Sequence, residues 1–347
     1  MKRLRLKTVV GFFLAAVLSS PAWGSVPPQP GTINYIEGQA AIGAQALNER
    51  SVGSTRLAAG QSLSTENGRA EILLTPGVFL RLGDHSSVQM ISPGLADTIM
   101  TLSRGRAIVE VTFIRPQNNI RIGENNSSAQ LLKPGLYDFD SSRGLIRVFD
   151  GEAMVQSAGR QIELKSEHVL ALNAAGKLKA QRFDRKAYTT DDFYRWASLR
   201  SAYLAEANVS EARNYTSVNG AYPAGWYGGG WYWNPWYSAY TFIPGDGIFF
   251  DSFGWGFYSP WFAFGAPYFG FGYGYLGGGY YHHFGPSYTP GVAAAHSAAL
   301  AAHAYRVSGS GLRAGVSHGG GFAGGAGFRG GFAGGGGFHG GGGGRGR

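Results

Sequence analysis

From Gly31 to about Leu172 apolar and polar residues alternate in short runs. Ala70 to Leu74, Val78 to Leu82, Ala107 to Phe113 and Asn119 to Ile122 are four to seven residues long and rich in Val, Ile, Leu and Phe. Gly135 to Phe139, Gly144 to Phe149, Ala153 to Ser157 and His168 to Leu172 continue the series. Runs of this kind, separated by turn residues every eight to twelve positions, predict an all-β sandwich, barrel or solenoid. Gly38, Gly60, Gly68, Gly77, Gly105, Gly135 and Gly151 fall where a chain needs positive φ or a close strand approach. No helical pattern interrupts the series, and its apolar positions suffice for a core of its own.

The pattern changes at Asp191. Phe193, Trp196, Leu199 or Arg200, Tyr203 and Ala207 recur every three or four residues to about Arg213, which predicts one amphipathic helix. Thr189 or Thr190 is placed to cap it, with Asp191 and Asp192 favouring its first turn. Such a helix docks on the β-domain or receives a partner.

The order of strands and turns carries a resemblance. "GTINYIEGQAAI", "LAAGQSLSTENGRAEILLTPGVFLRLGDHSSV", "LSRGRAIVEV" and "KPGLYDFDSSRGLIRVFDGEAMV" follow one another. The Leu-x-x-Gly at Leu57 to Gly60, the Thr-x-x-Gly at Thr65 to Gly68 and the strand with Gly-Glu at Val148 to Val155 make this stretch similar to the FecR domain, a periplasmic β-domain of iron-dicitrate signalling. The resemblance covers about 140 of the 347 residues and implies an all-β, exported domain. Signalling members of that family place a cytoplasmic anti-sigma segment and a membrane helix ahead of the domain.

Here the N-terminus reads otherwise. A basic start, MKRLRLK, precedes the apolar run Val9 to Leu18 and a small-residue site around Ala22, Trp23 and Gly24. Ten apolar residues are too few to span a bilayer, so residues 1–24 read as a secretory signal peptide cleaved between Gly24 and Ser25. The expected mature chain is exported, to the periplasm, the outer envelope or the cell surface, with no transmembrane helix. Its expected organisation is a β-domain over 25–180, the helix within 181–214, an aromatic, Gly- and Pro-rich region over 215–291, and an Ala- then Gly-rich tail over 292–347. Cooperative folding is expected to end near Arg213.

Composition sharpens the last boundary. The 133 residues from Tyr215 onward hold 39 of the 57 glycines and six of the eight tryptophans, with no Lys and only Asp246 and Asp251 as acids. Glycine-rich chain has a high backbone entropy to lose, so this C-terminal region is expected to be of low complexity and largely disordered. Its aromatic run, Trp226 to Tyr281, has three readings. Flat rings can stack on sugars or other aromatics, spaced rings can drive self-association, or the stretch "TFIPGDGIFFDSFGWGFYSP" packs on the β-domain. Trp226, Trp231, Trp233, Trp236, Trp255 and Trp261 are the candidate ligand or association residues. The implied partner is an envelope polysaccharide, peptidoglycan, a membrane protein or a second copy.

Other chemistry is weakly signalled. The chain has no Cys, which excludes disulfides and thiolate chemistry. Its net charge of +9 falls to +5 without Lys2, Arg3, Arg5 and Lys7, too little to argue for nucleic acid. Gly272, Gly274 and Gly277 match a dinucleotide motif by chance within a glycine-rich run, and Arg329, Arg345 and Arg347 make no RNA-binding tail. His282 and His283, or His296 and His303, lack a completing carboxylate, so no metal or cofactor is expected. Asp138 and Asp140 read as a hairpin turn, since the spacing of a calcium loop is missing. Asp84, His85 and Ser86 are consecutive and form no triad by themselves. Glu66 with Glu71, or Asp138 with Asp150, are the acid pairs a glycosidase would need. The expectation is a non-enzymatic binding or structural protein of the bacterial envelope, with the C-terminal tail mediating association. The alternative is a sensory component of envelope signalling that works through a membrane partner.

Overall fold

The computed structural model describes residues 27–172, 178–216, 222–223 and 225–266, all within one compact unit. The signal peptide, its Gly24/Ser25 cleavage site, residues 267–291 of the aromatic region and the tail 292–347 lie outside the described residues.

The described chain is mostly β. The first strands are β1 (Ile33–Ile42), β2 (Gln45–Ala46), β3 (Ser62–Leu73), β4 (Val78–Leu82), β5 (Ser87–Pro93), β6 (Asp97–Arg104) and β7 (Arg106–Val111). Then come β8 (Asn119–Glu124), β9 (Ser127–Leu131), β10 (Gly135–Asp140), β11 (Leu145–Asp150), β12 (Glu152–Ser157), β13 (Arg160–Lys165), β14 (His168–Ala171) and β15 (Gln181–Arg182). A helix α1 (Asp192–Asn214) precedes β16 (Gly230–Asn234), β17 (Ala239–Ile243), β18 (Ile248–Phe250) and β19 (Gly256–Tyr258).

Strands β1 to β15 form one sheet in the order β13-β12-β9-β8-β6-β5-β3-β4-β7-β10-β11-β14-β15, with β1 on β3 and β2 on β1. All pairings are antiparallel except β6 with β8. Leu63, Leu80 and Val109 of the neighbouring β3, β4 and β7 meet Ile122, Val148 and Val155, from strands further along that order on both sides, in one apolar cluster. The sheet therefore wraps around its own core, as the period-two pattern requires of strands with one buried face. Each of the eight apolar runs singled out in the sequence lies largely within a strand. The seven glycines behave as expected: five have positive φ, while a Cβ on Gly68 or Gly135 would come within 2.4 and 2.0 Å of the neighbouring backbone.

The outer face of β3, β4, β7, β10 and β11 is not left to solvent. Leu73, Phe79, Ile108, Leu136 and Phe149 point outward and are covered by α1 and by the hairpins β16–β17 and β18–β19. Asp191, rather than either threonine, caps α1: its carboxylate accepts the Tyr194 N–H at 2.8 Å and pairs with Arg106 at 2.7 Å. Asp wins this position because its backbone is extended there and Arg106 fixes its side chain. Fourteen of the 23 helix residues are buried, polar ones among them, because α1 is packed between the sheet and the hairpins. The folded body thus runs past Arg213 to Ala266.

Candidate functional site

The hairpins take up most of the predicted aromatic positions and sort them into two kinds. Trp231 is 4 % exposed and packs edge-on against Phe79, ring centres 4.9 Å apart. Trp255 is half-buried and packs against two apolar clusters, the one that holds Phe79 and the one that holds Phe149. Trp226 stacks on Tyr232 at 5.3 Å and leans on Tyr215. These three belong to the packing of the body.

Trp233, Trp236 and Trp261 are exposed. Trp236 is 87 % exposed, at the tip of the β16–β17 hairpin, where Asn234 accepts the Trp236 and Tyr237 N–H groups at 3.0 and 3.3 Å. Pro235 and the positive φ of Ser238 complete that tight turn. Trp261 is 66 % exposed beside Phe262 and Phe264, at the end of the body where Arg213 binds the Ala263 and Ala266 carbonyls. Trp233 lies at a rim, edge-on to Tyr240 and against Gly53. The structure therefore mounts exposed aromatic faces at separate points of a braced scaffold.

Beneath the hairpins lies a layer of buried charge that sequence reasoning missed. Arg81 donates from Nε to Glu71 at 2.9 Å and from Nη1 to Glu110 at 2.6 Å. Glu71 also receives Arg200 of α1 at 3.0 Å and Asn34 of β1 at 2.9 Å. Burial works to raise the Glu71 carboxyl, but Arg200 and Arg81 outweigh it and hold the group below its ordinary range. Ser201 of α1 bridges Glu110, at 3.0 Å, to Asp251 in the β18–β19 turn. Burial, and then the charge of Glu110, push Asp251 up to about 7. The same alternation that marked these positions as solvent-facing aligns them under the cover; only the second layer was invisible.

The remaining candidates find separate partners. Glu66 is exposed with His85 and Arg104, while Glu71 lies in the buried layer. Asp138 is buried between Arg106 and Arg147, both at 2.8 Å, whereas Asp150 is exposed. The Ser86 hydroxyl donates to the Asp84 carbonyl, and the His85 ring faces Glu66. Asp140 accepts the Arg143 N–H in the β10–β11 turn, the hairpin read from the sequence. An open cleft of about 490 Å³ lies between Lys133, Asp150, Glu152 and Lys165, with Lys133 paired to Glu152 at 2.6 Å. Among the described residues no group of His, Cys, Asp or Glu is arranged to hold a metal ion, and no helix is long and apolar enough to cross a membrane. His282, His283, His296, His303 and the glycine motif at Gly272 lie outside the described residues.

Fold and site together define an all-β domain whose outer face is sealed by one helix and two aromatic hairpins. No family model matches the chain, and no curated protein matches it. Solved structures similar to it include two crystal structures from Parabacteroides distasonis, each described as "a putative anti-sigma factor". The one at 2.50 Å resolution is 13 % identical with a TM-score of 0.33, covering 38 % of this chain and 64 % of that one. The one at 1.65 Å is 12 % identical, also with a TM-score of 0.33, covering 37 % and 62 %. The chain thus spans a little under two thirds of those proteins.

Proposed function

We propose that this chain is an exported, FecR-like, non-enzymatic protein that attaches to the bacterial cell envelope through the exposed aromatic faces of its hairpins. The observation that carries this reading is Trp236, a large flat side chain held almost wholly in solvent on a turn whose backbone is fixed by Asn234. Exposing a tryptophan there forgoes the burial that stabilises its neighbours, and a rigid exposed ring is suited to stack on the apolar face of a sugar. Trp261 with Phe264 offers a second such point. Envelope polysaccharide or peptidoglycan is the ligand chemistry these faces fit.

The test is retention of the full chain on insoluble peptidoglycan and on envelope extract, against Trp236→Ala and Trp261→Ala, singly and together. Loss of retention in the double variant, with an unchanged melting transition, is the expected result. Equal retention of the double variant and the parent overturns the reading.

A sensory role in envelope signalling, working through a membrane partner, is the second reading. It is favoured by the charged layer under the hairpins, which gives the cover a contact that responds to conditions. Cross-linking of the full chain to a membrane protein in intact cells is its test, and absence of any cross-linked membrane protein counts against it.

A further inference from the structure

Five charged side chains meet under the hairpins, and they do not balance. Arg81 and Arg200 neutralise Glu71 and Glu110 through the contacts above. Asp251 is 7 % exposed and has no ion-pair partner among the described residues. A buried carboxylate without a cation is costly and is held neutral instead.

Hydrogen counting leads to the same place. The Ser201 hydroxyl lies within bonding distance of both Glu110 and Asp251, yet it carries a single hydrogen and donates once. With both carboxyls ionised, one of these two contacts is oxygen against oxygen with no hydrogen between. A proton on Asp251 completes the chain: Asp251 donates to Ser201, and Ser201 donates to Glu110. Glu110 is the ionised member, since its other oxygen takes the Arg81 guanidinium at 2.6 Å. The second Asp251 oxygen accepts the Phe253 and Trp255 N–H groups at 2.9 and 2.8 Å, so the turn itself is built on this carboxyl.

We propose that the β18–β19 hairpin is a proton-operated latch: one proton held along Asp251, Ser201 and Glu110 fastens it to the β-domain, and loss of that proton loosens it. The groups facing Asp251 are Glu110 of β7 with Arg81 of β4 behind it, and Ser201 of α1 with Arg200 and Glu71 beyond. Arg185 binds the neighbouring Ser252 carbonyl and supplies no charge partner to Asp251. Loosening frees Phe257 from Phe79 and Phe242, and Phe253 from Tyr194.

The sign follows from the raised affinity. Below about pH 4 Asp251 is protonated whether the hairpin is closed or open, and the latch is fully engaged. From there to about 7 only the open form ionises, so opening gains roughly tenfold per pH unit and then levels off.

Hydrogen exchange of residues 247–258 in the full chain, expressed as protection relative to the free peptide between pH 4 and 9, reads this directly. Protection in the parent is expected to fall over that window and flatten above it. Asp251→Asn keeps both oxygen contacts to the backbone and donates permanently to Ser201, so its protection is expected to stay flat. Glu206, Glu211 and Glu124 are also raised by burial, but they remain in the variant and drop out of the comparison. Glu110→Gln frees the Ser201 hydrogen for Asp251 and removes a like charge, moving the plateau to lower pH; it decides the matter if the Asn variant does not fold. A flat parent profile, the parent slope in Asp251→Asn, or an unmoved plateau in Glu110→Gln overturns the latch.

Discussion

Asn34 and Tyr240, 206 positions apart in the chain, are bonded as though they were neighbouring strand residues: the Asn34 amide donates to the Tyr240 carbonyl at 3.0 Å and accepts its N–H at 2.7 Å. A third bond runs from the same amide to Glu71. One side chain thus joins the first strand, the buried charge layer and the aromatic hairpin. Asn34→Ala leaves both Tyr240 backbone groups buried without partners, a loss on the order of 3 kcal/mol in denaturant unfolding. Asn34→Asp is expected to be worse, because it cannot donate to Tyr240 and sets a second carboxylate beside Glu71. Stability within error of the parent for either variant contradicts this role.

Arg81 is fully buried and holds two carboxylates that came into the interior with it. Removing one partner of such a set costs far more than the set contributes as a whole, because the others remain buried and charged. Arg81→Met is therefore expected to lower stability by about 3–5 kcal/mol. Adding Glu110→Gln to it recovers part of the loss, since Glu71 keeps Arg200 and Asn34. Denaturant midpoints of the single and double variants check this; a double variant less stable than Arg81→Met contradicts it.

The first layer of this protein was legible in sequence and the second was not. Period-two runs with glycine at the turns signal one buried face, and eight strands were found from them. Strands such as Ser87–Pro93 and Arg160–Lys165 were missed because Ser, Gln and charged residues dilute the alternation. Glu71, Arg81, Glu110, Asp138 and Arg147 sit at the alternate positions that normally face water, so nothing local announces a cover above them. The cover itself was masked by composition. Between Gly228 and Gly256 the glycine content of the whole C-terminal region suggests disorder, but Trp231, Phe242 and Phe257 bury enough apolar surface on Leu73 and Phe79 to order the hairpins. Of the three readings of the aromatic run, packing on the β-domain describes Trp231 and Trp255, while Trp233, Trp236 and Trp261 stay exposed.

That division predicts opposite behaviour for two tryptophans five positions apart. Trp231→Ala removes a ring from the cluster around Phe79 and is expected to cost about 3–5 kcal/mol. Trp236→Ala removes an exposed ring and is expected to change stability by no more than about 0.5 kcal/mol. Thermal or denaturant unfolding of the two variants compares them directly. Comparable losses at both positions mean that Trp236 is a packing residue, and the proposed attachment point loses its basis.

Glu124 gives a pH-dependent prediction that involves none of the latch residues. It is almost wholly buried at the end of β8, with one carboxyl oxygen lacking any partner among the described residues. Burial first, then the charges of Asp140 and Asp138, push it up to about 8, against the opposing pull of Arg147. A folded-state affinity above the unfolded one means that the native protein holds a proton the unfolded chain has released. The stability it favours is complete below about pH 4.5 and declines as pH rises towards 8, beyond which the slope vanishes. Glu124→Gln copies the protonated form and escapes that decline. It is expected to match the parent in urea at pH 4.5 and to exceed it at pH 8.5, by a margin that grows steadily between the two. A constant offset across that range, or a margin that shrinks as pH rises, shows that Glu124 is ionised in the folded protein and that Arg147 dominates its surroundings.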